Sequence, residues 1–239
     1  MITNTNFIEV RDIKVELVRK TIKNLHLGVY PPDGHVRVAV PEHINDEYVR
    51  LAIISRLAWI RRHQRQMQEQ IRESKREMIS GESHYYRGRR YLLEVVEGKK
   101  QVRLNGKKIE LQIPSNSNRE SREKAVYEWY RKRMKSQIPK LISKWEKIMG
   151  VKVDKWQIRK MRTLWGSCNP ATGSIILNLE LIKKAPQCLE YILVHEMVHL
   201  MERHHNERFR QLMNKFMPQW QLHRKVLNDT PLAYEDWKY

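Results

Sequence analysis

Cysteine is scarce in this chain. Cys168 and Cys188 are the two present, and neither belongs to a C-x-x-C pair. A disulfide framework and a cysteine-rich structural metal site are therefore excluded, and reduced thiols in a cytoplasmic protein are expected. Long apolar runs are lacking too. The most apolar stretch, Tyr191 to Met201, is short and carries two histidines and a glutamate, so no membrane span is expected. Residues 1–10 lack the basic-then-apolar pattern of a secretory signal. There is no internal repeat, no low-complexity tract and no phosphate-binding glycine loop. Acidic residues are outnumbered, 27 against 46 Lys and Arg, for a net charge of +19.

What remains is a globular composition, 41% hydrophobic and 31% charged over 239 residues, enough for one large domain or two small ones. The positive field makes polyanions, nucleic acid or nucleotides among them, candidate partners. The densest cationic run is Arg131-Lys132-Arg133-Met134-Lys135.

Alternating apolar residues predict strands over 15–18, 23–29 and 35–40, with Pro31-Pro32-Asp33-Gly34 as a turn. A long charged helix is expected over 45–78, with Val49, Ala52, Ile53, Leu57 and Ile60 on one stripe. Strands over 91–96, 101–104 and 109–113 follow, the last two joined at Asn105-Gly106. The Ser/Asn-rich segment 114–118 reads as a domain boundary. A helix over 120–149 is expected to break at Pro139 and to end at Gly150. Residues 155–163 and 174–178 read as two strands around a turn at 166–173, and helices dominate from Pro186. The fold class is α+β. Residues 1–114 form an antiparallel β-rich region with the long helix, and residues 119–239 a largely helical domain with a short sheet.

The chemistry is concentrated in His195-Glu196-Met197-Val198-His199. Helical residues four apart differ by about 40° around the axis and about 6 Å along it, so both imidazoles can reach one metal ion. Glu196 lies about 100° around, placed to reach water at the metal and not to ligate. With 10 His and 21 Glu in the chain, chance yields about 0.04 such motifs. Apolar residues surround the helix, and a buried helix holds such polar groups only if something satisfies them.

Catalytic zinc takes three protein ligands and keeps one open position. His205, six residues after His199, has the spacing of zinc proteases whose third ligand follows a sharp turn. A continuous helix would place it about 240° from His199, so the helix must end between Glu202 and His205, with His204 as a candidate left-handed residue. Glu202, on the His199 face, is the competing ligand or a group that orients one. His204 is the adjacent alternative.

Upstream stand Arg162-Thr163-Leu164-Trp165-Gly166-Ser167-Cys168 and Ile175-Ile176-Leu177-Asn178. With these two segments and the histidine spacing, the chain resembles the YgjP-like zinc metallopeptidase family over about residues 20–225. Met197 stands where the family usually has Leu, and His204 where it has Asn. The resemblance implies a minimal zinc-peptidase domain, with Arg162, Trp165 and Asn178 near the cleft or behind the ligands. It also leaves nucleoside triphosphates as an alternative substrate class.

The expected activity is zinc-dependent hydrolysis of peptide bonds, with His195, His199 and His205 on zinc and Glu196 as the general base activating water. Ser174–Asn178 is the candidate edge for an extended peptide. Arg162 and Tyr191 are candidates for steadying the oxyanion. The alternatives are a zinc-dependent nucleoside triphosphate phosphohydrolase using the same site, and a nucleic-acid-associated zinc protease. Cys168 has no base to make it a nucleophile.

Overall fold

The computed structural model describes residues 5–30, 34–69, 76–161 and 164–229. They are α+β and fall into two compact units, one through residue 69 and one from residue 76.

The first unit holds β1 (Thr5–Val10), β2 (Ile13–Lys20), β3 (His26–Tyr30) and β4 (His35–Pro41), in the order β1-β2-β4-β3. Val15 and Leu17 on β2 and Val36, Val38 and Val40 on β4 line its core, as the period of two requires. Glu16 is also buried, and His35 at 2.8 Å and Arg37 at 3.4 Å pair with it. The sheet is not purely antiparallel, because β4 inserts between β2 and β3 and runs parallel to β2.

The long helix expected over 45–78 is two helices, α1 (Asp46–Ile54) and α2 (Leu57–Glu69). Asn45 caps α1 by accepting from Tyr48 N–H. The Ser55 hydroxyl donates to the Ala52 carbonyl at the break, a local bond that competes with helix continuation. The stripe Val49, Ile53, Leu57 and Ile60 is buried across both helices. Residues 76–79 are not helical.

The second unit opens with β5 (Ser83–Tyr86), β6 (Arg89–Glu97), β7 (Gln101–Asn105) and β8 (Lys108–Ile113), ordered β5-β6-β8-β7. The strand order and the parallel central pair repeat the first sheet's topology, although the sequence shows no repeat. The mixed aromatic and cationic segment Tyr85 to Tyr91 is a strand turn whose Tyr86 packs on Trp129 and Tyr130.

The segment 114–118 does not divide the chain. Leu93, Ile109 and Leu111 share one core with Val126, Trp129 and Tyr130 of α3 (Arg119–Lys135) and with the helices beyond it. Each such buried side chain stabilises by about 1.5–3 kcal/mol, so this sheet stays with the helices. Asn118 caps α3. Pro139 lies in the first turn of α4 (Ile138–Met149), where its missing N–H costs nothing, and Gly150 ends that helix at φ 68°.

A three-stranded sheet follows: β9 (Lys155–Arg159), β10 (Gly166–Asn169) and β11 (Ser174–Asn178). Residues 166–169 are thus a strand and not the start of a turn. They pair antiparallel with β11, and β9 pairs parallel with β11 on its other side. Ser174–Asn178 is therefore the central strand, β9 and β10 are the two edges, and β10 is the edge that lines the cavity of the histidines. A 3₁₀ turn, Leu179–Lys183, leads into α5 (Pro186–Val198), α6 (Glu207–Phe216) and α7 (Trp220–Asp229). The backbone N–H groups of Arg87 and Gly88 donate to Ile182 and Lys183 carbonyls at 2.9 Å, tying the β5–β6 turn to the entrance of α5.

Candidate metal centre

Pro186 sits in the first turn of α5, and Cys188, Leu189, Ile192, Leu193, Val194, Met197 and Val198 are buried along it. This apolar surround anchors the helix and leaves His195 and His199 half-buried toward one cavity. The helix ends at Val198, earlier than the sequence suggested. His204 is not left-handed: Arg11, Met78 and Arg87 are the non-glycine residues with positive φ among those described. Glu202 makes the turn. Its backbone carbonyl accepts from His199 Nδ1 at 3.0 Å, and its side chain accepts from His204 N–H at 3.1 Å. Its carboxylate is thereby held in the loop, below the usual range because of the His204 N–H bond.

The turn brings His205 back to the helix. His205 Nε2 stands 3.0 Å from His195 Nε2 and 3.1 Å from His199 Nε2. The bond to the Glu202 carbonyl puts the His199 proton on Nδ1, leaving the Nε2 lone pair facing its neighbours. One proton on His205 Nε2 cannot satisfy both partners, whereas a cation between the three nitrogens can. Three ligands of a tetrahedral zinc with bonds of about 2.0–2.1 Å lie roughly 3.4 Å apart, close to this spacing. Burial, then His199 and His205, push the His195 imidazole down to about 3, so it is neutral and able to ligate. Its Nδ1 is buried without a hydrogen-bond partner among the described residues.

Glu196 is buried on the same helix, and burial pushes its carboxyl up to about 8. It lines a cavity of about 860 Å³ with the three histidines, β10 and Arg203. The thiol of Cys168 is pushed up to about 11, first by burial and then by the Glu196 charge, which keeps it protonated and inert.

Two contributions were hidden in the sequence. Phe209, buried on α6, lies with its ring 4.9, 4.7 and 4.7 Å from the rings of His195, His199 and His205. It forms an apolar backing for all three imidazoles. A capping signature preceded it, for Asn206 accepts from Phe209 N–H at 3.0 Å. The second is Gly166. A Cβ there would stand 2.5 Å from Glu196 Oε1 and 2.8 Å from its Cδ and Cγ. Gly166→Ala should therefore push Glu196 out of place. Turnover is expected to fall about a hundredfold, the scale of a 1 Å misplacement, with metal content unchanged. Steady-state kinetics beside elemental analysis tests this, and near wild-type turnover would refute it.

Trp165 and Asn178 stay behind the site. Trp165 packs against the core with Lys184 Nζ 5.7 Å from its ring. Asn178 donates to the carbonyls of Met161 and Leu164 at 2.8 Å, fastening the approach to β10. Tyr191 is buried one turn before His195 and does not line the cavity. Arg162 lies outside the described residues. No described helix is long and apolar enough to cross a membrane.

No curated protein matches the chain. Among solved structures, the metallopeptidase zymogen of Pyrococcus abyssi abylysin is similar over 41% of this chain and 99% of that one. The identity is 19% and the TM-score 0.36, a likeness that carries no argument about function. The family model of the YgjP-like metallopeptidase domain matches residues 23–230. That span covers most of the chain and contains the three histidines, Glu196 and the β10 segment, and the chain belongs to this family of metal-dependent hydrolases.

Proposed function

We propose that the protein is a zinc-dependent peptidase in which His195, His199 and His205 hold the metal through Nε2 and Glu196 is the general base. What supports this reading is the convergence of three imidazole Nε2 atoms on one cavity that a buried carboxyl also lines. A neutral-nitrogen set of three suits zinc and leaves a position open for water or substrate. Bound zinc lowers the pKa of water toward about 7 and polarises a carbonyl. A cation at the three nitrogens would favour the ionised Glu196 carboxylate against its burial, and in that form it takes the proton of the attacking water and passes it to the leaving amine. Phe209 keeps the ligand rings in place, and Gly166 leaves room for the Glu196 side chain.

An extended peptide would pair with the open edge of β10, whose residues Gly166 to Asn169 line the cavity. A nucleoside triphosphate would require several cations, whereas Arg203 is the single Lys or Arg lining the cavity among the described residues. The two free cysteines suit the cytoplasm. The test is side-by-side incubation with an unfolded protein and a nucleoside triphosphate panel, each with and without chelator. Chelator-sensitive peptide cleavage restored by zinc is expected. Chelator-sensitive phosphate release without peptide cleavage would replace this reading with the nucleotide one.

A further inference from the structure

Arg203 lies in the turn between His199 and His205, is exposed, and lines the same cavity as Glu196. The carboxylates on its loop are engaged elsewhere. Glu202 accepts from His204 N–H and lies 3.9 Å from Arg208, while Glu207 pairs with Arg210 at 3.3 Å. Arg203 itself has no ion pair among the described residues. Beyond the histidines and Glu196, the other walls are neutral: Leu164, Pro170 and Ala171 are apolar, and Ser167 and Asn169 are uncharged. Within the lining, one guanidinium thus stands on the rim without an ion pair, while Arg224 of α7, outside the lining, acts electrostatically on His195 and His205.

We propose that Arg203 makes this site prefer peptides that present a carboxylate beside the scissile bond. The proposal rests on the peptidase reading above. The planar guanidinium matches a carboxylate through paired N–H···O bonds. A bound peptide would shelter that contact from water, which strengthens it. The carboxylate has two sources, an Asp or Glu side chain near the cleaved bond and the free C-terminus of a short peptide.

The full-length, zinc-loaded protein is assayed on one quenched-fluorescence peptide in four forms. Three carry Glu, Gln or Lys next to the cleavage site and an amidated C-terminus. The fourth carries Gln and a free C-terminus two residues on. The Glu peptide, the free-C-terminus peptide or both should exceed the amidated Gln peptide in kcat/KM by about tenfold, mainly through KM. The form preferred identifies the source. Higher salt should shrink the preference. Arg203→Glu should reverse the order of the Glu and Lys peptides, and Arg203→Lys should keep part of the wild-type order. Because Arg203 is exposed, folding should be unaffected, and zinc content is checked in each variant. Chelator-sensitive cleavage without charge preference, or a preference that Arg203→Glu leaves unchanged, overturns the inference and leaves the peptidase reading standing. No chelator-sensitive cleavage of any peptide overturns that reading, and the inference with it.

Discussion

Glu196→Gln is expected to abolish nearly all turnover while the protein keeps its metal and its fold. The replacement preserves side-chain volume and hydrogen-bonding reach and removes only the ability to accept a proton. Positioned proton transfer is typically worth a factor of about 10² to 10⁴. Glu196 is not one of the three converging nitrogen donors, so zinc content should stay at one per chain. Stability should hold within about 1 kcal/mol, because a neutral amide replaces a carboxyl whose ionised form burial disfavours. Steady-state kinetics, elemental analysis and thermal unfolding are measured on the same preparation. A variant that binds zinc normally and turns over at near wild-type rate would remove Glu196 from the mechanism.

His205→Ala and His204→Ala should differ sharply in metal affinity, although the two residues are adjacent. His205 Nε2 faces both other imidazoles at 3.0 and 3.1 Å, and removing it leaves two ligands. A zinc competition assay should show affinity lowered by more than about a hundredfold, beyond the 10- to 100-fold typical of losing an outer partner of a ligand. His204 contributes its backbone N–H to Glu202, a bond that alanine retains, so its replacement should cost less than about threefold. Both side chains are exposed, and neither substitution should unfold the protein. The opposite ranking would mean that the neighbouring histidine is the ligand.

The helical half of the site was readable because it is local. The period of 3.6 residues alone places His195 and His199 on one face, and the apolar residues around them announce a buried helix. The helix stripe Val49, Ile53, Leu57 and Ile60 was legible for the same reason. Strand order was not. Alternation marks β2, β4, β6 and β8 as strands, yet it does not say that β4 and β8 insert between earlier strands to make parallel pairs. The boundary at 114–118 failed similarly. A Ser/Asn-rich segment signals a turn, but only the shared core of Leu93, Ile109 and Leu111 with Trp129 and Tyr130 shows which elements stay together.

The α+β class, the histidine pair with its neighbouring glutamate, and the need for a sharp turn before a third imidazole could all be read from local pattern. These follow from chain periodicity and from the cost of burying polar groups unsatisfied. That His205 turns back to the pair, that Glu202 shapes the turn, that Phe209 backs all three rings, and that Gly166 makes room for Glu196 became visible in the three-dimensional packing. The same packing makes β10, and not β11, the edge at the cavity. Except for the local turn at Glu202, these depend on an approach between segments that share no period: Gly166 reaches Glu196 across 30 residues of chain, and packing rather than local propensity sets that distance.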